Sequence, residues 1–325
     1  MDKQAMHDFI ANGTAGCRLL VVGDVMLDKY FYGEVTRISP EAPVPITHVL
    51  SSKETLGGAA NVAHNLALLG CATDIAGFVG EDYHCQSLLD KFTERDISYK
   101  GLIHTDRPTT TKLRIIGGHQ QMMRLDFEEA EPVEGPYADR LQGYVQAALA
   151  QGVDAIIISD YGKGCCTPAT CQAIIQVAHE HQVPVIIDPK GNDWDKYAGA
   201  DYITPNLKEI NEILPVRIKN EDAAVEKAAR YAMEKYQLKN IIVTRSENGM
   251  TLVTPEAVTH IPTKAQEVYD VSGAGDTVIA VFSLGLAGGL APVSSARMAN
   301  LAASVVVAKL GTYAISRDEL LEVLK

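Results

Sequence analysis

Asp270-Val271-Ser272-Gly273-Ala274-Gly275-Asp276 is the stretch on which the reading of this chain turns. Pro262 and the polar Thr263–Glu267 segment precede it, and from Thr277 to Leu286 small and apolar residues recur with helical spacing. Gly273–Gly275 therefore sits where a loop becomes a helix. The first turn of a helix leaves backbone N–H groups without intrahelical partners, and glycines leave them uncovered, so the spot suits an anion. Asp276 in that cradle repels an anion unless it reacts with something. A carboxylate beside a phosphate-sized hole fits a phosphoryl-transfer base, which takes a hydroxyl proton as that oxygen attacks. Gly-Ala-Gly-Asp also fits an ordinary tight turn with Asp276 as an N-cap, and local pattern alone does not separate the two.

Composition narrows the partners. Among 325 residues, Lys and Arg number 29 against 41 Asp and Glu, a formal charge of −12. That balance disfavours nucleic acid or an anionic membrane, while leaving room for a local positive pocket. Six cysteines lack zinc-knuckle spacing, including the adjacent Cys165-Cys166 and nearby Cys171, and read as reduced thiols of a reducing compartment. The nine histidines show no metal-ligand spacing. Polar and acidic residues fill the first sixteen positions, a short helix or loose arm with no cleavable signal. Apolar runs are too short or broken to cross a bilayer, so a cytoplasmic protein is expected.

Arg18–Val22 reads as a buried strand ended by Gly23-Asp24, with Asp28 close behind. Acidic residues just past a core strand either face a ligand crevice or serve the turn itself. The alternating and proline-spaced residues from Tyr30 to Ser51 suggest short edge strands. Leu56-Gly57-Gly58-Ala59-Ala60-Asn61 leads into a helix, Val62–Leu69. Its glycine pair permits close approach by a ligand, and Asn61 can donate to and accept from hydroxyls. Strands Ala72–Val79 and Ile97–Ile103 flank a helix at Glu81–Phe92. Thr109–Ile116, a turn at Gly117-Gly118 and Gln120–Asp126 form a hairpin. On it Lys112 and Arg114 share a face, with Arg124 joining them across the pair. These cations suit a second anion or simple solubility. Residues 30–51 and 109–126 together make a small sheet off the main body, expected as a lid, a dimer surface, or both.

From Tyr137 the rhythm is regular. Helices Tyr137–Ala150, Pro168–His181 and Glu221–Tyr236 alternate with strands Ala155–Ser159, Val185–Ile187, Tyr202–Thr204 and Ile241–Thr244. This is the pattern of a mostly parallel α/β sheet covered by helices. Trp194, the lone tryptophan, lies in a polar loop and is expected to pack partially. Polar groups gather at strand carboxyl ends: Asp24 and Asp28, Asp160 and Lys163, Asp188 and Lys190, Asn206 and Glu209. Neither a G-x-x-x-x-G-K-[ST] loop nor a G-x-G-x-x-G fingerprint is present. Carboxylates near a phosphate hold it best through Mg²⁺ and water. Asn206 and Glu209 can share a face and orient such water, a spacing that equally fits a capping box.

These motifs, in this order and over nearly the whole chain, resemble the ribokinase-like (PfkB-type) sugar kinases. Gly57-Gly58-Ala59-Ala60-Asn61 is similar to that family's first signature, and Asp270–Asp276 to its second, with Val271 replacing a usual threonine. Gly23 through Asp28 resembles a first-strand motif, and Asn206-Leu207-Lys208-Glu209 the N-x-x-E motif. The resemblance implies one ribokinase-like kinase domain over residues 1–325 with a small β lid, using ATP and Mg²⁺, with a monovalent cation as a family habit. It implies Asp276 as base and the Gly273, Ala274 and Gly275 amides as the cradle for transferred charge. Asp24, Asp28, Gly57, Gly58, Asn61 and Asp160 would lie on the sugar side. Lys112, Arg114, Arg124 and Lys163 would meet a distal phosphate. Lys190, Asn206, Glu209, Thr244, Ser246, Gly249, Val271, Asn300 and Ala303 would lie on the nucleotide side, and Asn206 and Glu209 would hold the metal through water. Relatives dimerise through the small sheet, so a homodimer is expected.

Within the family the finer resemblance is to members that phosphorylate heptose 7-phosphate. It rests on Val22–Asp28, Arg37–Pro45, Thr111–Arg114, Arg124–Glu129 and Ser159–Gly164. Such members often carry a nucleotidyltransferase after the kinase; this chain stops nine residues into a segment starting at Arg317, so a separate protein is expected to act downstream. The same core would also serve another sugar or nucleoside kinase, or a catalytically weak sugar- or nucleotide-binding regulator.

Overall fold

Runs of Val, Ile and Leu bounded by turn residues become a nine-stranded sheet in the computed structural model, which describes residues 2–118, 120–263 and 268–325. In chain order the strands are β1 (Arg18–Gly23), β2 (Val25–Ile38), β3 (Pro45–Gly58), β4 (Ala72–Val79), β5 (Ile97–His104), β6 (Thr111–Gly117) and β7 (Gln120–Phe127). They continue with β8 (Ala155–Ser159), β9 (Val185–Asp188), β10 (Tyr202–Ile203), β11 (Ile241–Thr244), β12 (Met250–Val253) and β13 (Val258–Ile261). The large sheet runs β13-β12-β11-β10-β9-β8-β1-β4-β5. Every pairing from β11 to β5 is parallel, and the β11-β12-β13 edge is antiparallel.

Alternate residues of a strand point to opposite faces, and here both faces are apolar. Leu19, Val21, Ile157, Ile186 and Ile242 pack under helices Ala59–Leu68, Ala274–Ala287 and Pro292–Val306. Leu20, Val22, Ile156, Ile158 and Val243 pack under helices Pro136–Ala150, Pro168–Glu180 and Asp222–Lys235. Trp194 departs from expectation. It is fully buried in the second core, tilted against Tyr236, with its indole N–H donating to the Gly191 carbonyl at 3.0 Å. All six cysteines are free and buried. The N-terminal helix Asp2–Asp8 and the turn Phe9–Gly13 pack onto this body, where Arg317 grips the carbonyls of Ile10 and Ala11. Among the described residues no helix is long and apolar enough to cross a membrane.

A second sheet, ordered β3-β2-β6-β7, stands off the first. The short strands expected between Tyr30 and Ser51 are instead parts of two continuous strands of 14 residues each. Pro40 and Pro43 fall in the turn between them, and Pro45 opens β3, where a missing N–H does least harm. Register shifts at Tyr32/Gly33 and Val35/Arg37 absorb the irregular spacing as bulges. The β6-β7 hairpin joins through a parallel β2-β6 pairing, and β7 is exposed along its whole length. The sheet therefore spans residues 25–58 and 111–127, wider than expected in its first part (30–51) and shifted slightly in its second (109–126).

Candidate active site

Helix Ala274–Ala287 begins at Gly273, whose φ of 80° is the left-handed turn that glycine adopts at little cost. Asp276 lies in the first turn and is not the N-cap. The Ala274 amide donates to the Val271 carbonyl at 3.2 Å, so of the expected trio of cradle amides this one is already engaged. An added Cβ at Gly273 would lie 2.9 Å from the Asn61 amide nitrogen, which accounts for glycine there.

Asp276 is 3% exposed and held from two sides. Asn61 Nδ2 donates to its Oδ2 at 2.7 Å, and the Tyr161 hydroxyl donates to its Oδ1 at 2.6 Å. Burial raises its carboxyl from 3.8 to about 6; the Asn61 and Tyr161 hydrogen bonds and Lys112 oppose that rise, and Asp28 adds to it. A carboxylate held by two donors and titrating near neutrality has the properties a general base needs.

The stand-off sheet brings one cation, Lys112, to bear on this carboxylate and pairs another, Arg114, with Asp28. Arg114 pairs with Asp28 at 2.6 Å and lies over the Tyr30 ring. The other Asp28 oxygen accepts from the Thr312 hydroxyl at 3.3 Å. Lys112 sits 5.4 Å from the Tyr161 ring centroid, its pKa lowered by burial despite the Asp28 and Glu128 carboxylates. Lys163 Nζ meets Glu128 at 2.8 Å. Arg124 does not join them: opposite Arg114 in register, it closes a fork on Asp126 of its own strand and stays half exposed. Gly57 and Gly58 make room for neighbouring protein groups. A Cβ at Gly57 would lie 2.5 Å from Asp28 Oδ2, and one at Gly58 2.6 Å from the Asp24 carbonyl.

Two expected sugar ligands are spent inside the protein. Asp24 accepts the amides of Tyr161, Lys163 and Cys165 at 2.8, 3.0 and 3.1 Å. Asp160 accepts the Gly162 amide at 2.7 Å, and Lys196 Nζ and the Tyr197 hydroxyl at 2.6 Å each. With three hydrogen bonds each to protein donors, these carboxylates shape the 160–165 loop. Ligand atoms of Asp24, Asp160 and Cys166 also lie within 4.8 Å of one another.

Asn206 and Glu209 form the capping box. Asn206 Oδ1 accepts the Lys208 and Glu209 amides, and Glu209 Oε2 accepts the Asn206 amide at 3.0 Å. Glu209 Oε1 faces Lys190 Nζ at 3.5 Å. Beside them is Asp188, which strand-end position singles out but to which no ligand role falls from sequence. It is pushed well above the usual carboxylate range by burial and by the negative charges of Glu209 and Asp276, and its Oδ2 approaches Gly275. Oxygen donors without thiolate or imidazole fit a hard divalent cation.

The expected nucleotide residues are only partly gathered. Asn300 donates to the Pro262 carbonyl at 3.1 Å and lines a cavity of about 320 Å³ with Ile261, Pro262 and Thr263. Thr244, Ser246 and Gly249 shape the loop after β11. Buried Arg245 ties that loop to Asn220 and Asp222, and a Cβ at Gly249 would lie 2.1 Å from the Ile261 carbonyl. Ala303 packs against the core, and Val271 is exposed. Neighbouring residues 264–267, part of the expected polar segment, lie outside the described residues.

A buried carboxylate at a helix start, a group of oxygen donors and the Lys112 cation of the small sheet form a site whose chemistry fits phosphoryl transfer to a hydroxyl. The pfkB family carbohydrate kinase profile matches residues 18–319, and the chain belongs to that family. It is 46% identical over 304 residues to the bifunctional protein HldE of Methylobacillus flagellatus, covering 93% of this chain and 62% of that protein. It is 42% identical over 323 residues to the HldE of Trichlorobacter lovleyi, covering 99% and 65%. The chain thus spans less than two thirds of the length of these relatives. The structure of Arabidopsis thaliana ribokinase complexed with ribose and ATP superposes with a TM-score of 0.76 at 20% identity, covering 95% of this chain and 99% of that one. The ribokinase-like α/β fold expected from the spaced motifs is therefore the fold of this protein.

Proposed function

We propose that the chain forms one kinase domain that phosphorylates the anomeric hydroxyl of D-glycero-β-D-manno-heptose 7-phosphate with MgATP, giving the 1,7-bisphosphate used toward ADP-heptose and lipopolysaccharide core. The observation that carries this is Asp276, buried, partly ionised near neutrality and fixed by Asn61 and Tyr161. In the transfer, the sugar C1 oxygen bonds to the γ-phosphorus as the bond to the β–γ bridging oxygen breaks, and the hydroxyl proton passes to Asp276. The amides at Gly273 and Gly275 stabilise charge on the moving phosphoryl group. Mg²⁺, held through water by Glu209 and Asp188, would neutralise phosphate charge.

Lys112, Arg114 and Lys163 receive the distal phosphate, and Asn61 and Asp28 the ring hydroxyls. The small sheet acts as the lid that excludes water, since water in the acceptor position yields only hydrolysis. Its exposed Val35, Ile38, Val49, Leu50, Met123 and Leu125 support homodimerisation through the same sheet. Six free, buried thiols suit a cytoplasmic setting.

Phosphorus NMR of the products tests this. A new anomeric phosphate beside the original terminal one is expected with heptose 7-phosphate. Turnover confined to a free hexose, a fructose phosphate or a nucleoside would assign the other kinase reading. Lys112→Ala should weaken kcat/KM for the phosphorylated sugar by about 10- to 100-fold, the worth of one charge-assisted hydrogen bond. Equal losses for phosphorylated and free sugar would contradict distal-phosphate recognition.

A further inference from the structure

Tyr161 exchanges no proton in the transfer just described, yet several buried groups converge to place it against Asp276. Its own amide and those of Lys163 and Cys165 are held by the Asp24 carboxylate. Asp160, immediately before it, is clamped by Lys196 and Tyr197. Gly162 and Gly164, at φ 66° and 92°, let the loop curl around Asp24, and a Cβ at Gly164 would lie 2.1 Å from the Glu131 carbonyl. The loop so fixed aims one phenol hydroxyl at Asp276 Oδ1, 2.6 Å away, opposite the Asn61 contact on Oδ2. Lys112 of β6 rests over the same ring.

We propose that Tyr161 is a positioning residue of the transfer reaction: its hydroxyl holds Asp276 in the orientation that meets the acceptor hydroxyl, and its ring seats Lys112 of the small sheet. This rests on the phosphotransfer reading above. The phenol suits the task because burial and the Asp276 and Asp188 carboxylates push its own ionisation well above the usual range, so it stays a donor. A donated hydrogen bond favours the charged carboxylate. Tyr161 thus works with Asn61 from helix Ala59–Leu68 and Lys112 from β6 against burial and the negative charge of Asp28 on β2, while Asp276 in turn helps to push the Asp188 carboxyl on β9 upward. The arrangement also gives Asp24 and Asp160 a purpose, since together they build the mount for this side chain.

Tyr161→Phe in the full chain is the test. Losing one hydrogen bond to a charged group should move the acid limb of kcat upward by about one pH unit. At pH 7 kcat should fall about 10-fold or more, while KM for the sugar phosphate stays within about 2-fold. Because the effect runs through Asp276, adding Tyr161→Phe to Asp276→Asn should cause no further loss. Carboxyl titration followed by difference infrared spectroscopy, without any sugar, should show the same upward shift. An unmoved titration with unchanged kcat overturns the proposal. So does a loss confined to KM, which would make the phenol a sugar ligand, or a full further loss on top of Asp276→Asn. Should wild-type protein turn over no sugar phosphate at all, the phosphotransfer reading fails, and the infrared arm still decides whether Tyr161 governs Asp276.

Discussion

Asp276→Asn should reduce kcat by about 10²–10⁴-fold, the usual contribution of a general base, and should leave the protein at least as stable as before. The two expectations share a cause. Burial displaces the Asp276 carboxyl from 3.8 to about 6, so at neutral pH the folded state carries a charge it would prefer to neutralise, costing about 3 kcal/mol. That cost is absent below pH 4 and grows as pH rises from about 4 through 6; an uncharged amide removes it. For the same reason wild-type turnover should fall as pH drops through about 6, where the base becomes protonated. Steady-state rates across pH 5–8, with thermal melts of both proteins, check all three. A stable Asp276→Asn protein turning over at near wild-type rate would mean that the proton goes elsewhere.

Lys196→Met should destabilise the fold by about 3–5 kcal/mol, because it strands a buried carboxylate without its cation. The Asp160 side chain is 1% exposed, and the Lys196 ammonium is its only cationic partner among the described residues, at 2.6 Å. The Tyr197 hydroxyl and the Gly162 amide remain as donors, but neither carries charge. Adding Asp160→Asn to Lys196→Met should restore part of the loss, since a neutral amide tolerates burial better than a bare carboxylate. Urea unfolding midpoints at unchanged slope measure this. If Lys196→Met unfolds at the wild-type midpoint, the pair does not hold the loop.

Much of the scaffold is legible because its signals are local. Strands β4, β8 and β11 fall at their expected bounds, because strands buried on both faces are rich in apolar residues between turn signals. Asp276, Asn61, Lys112 and Arg114 are legible as spaced motifs, and the structure brings them together. What escapes is side-chain direction. Asp24 and Asp160 look like ligands at strand ends, but their carboxylates turn to loop amides because Gly162 and Gly164 fold the chain back onto them. Tyr161 is invisible as a partner of the base because 115 residues separate the two. The long ribbon of β2 and β3 is misread because prolines in its turn look like breaks in its strands, and the bulges of β2 break the period of two. Asn206 and Glu209 form the capping box that their spacing fits, which leaves Glu209 Oε1 unspent by the cap and facing Lys190.

That ribbon has a mechanical consequence. β2 leaves the floor of the pocket directly after Gly23, and β3 returns to it at Gly58, where a Cβ would strike the carbonyls of Ser159 and Asp24 at 2.0 and 2.6 Å. Rooted at two such crowded points and bent by the bulges at Tyr32/Gly33 and Val35/Arg37, the ribbon puts the turn at Pro40–Pro43 on the same two strands as Asp28 and the strand end that feeds Asn61. A displacement of that turn should therefore reach the pocket through backbone alone.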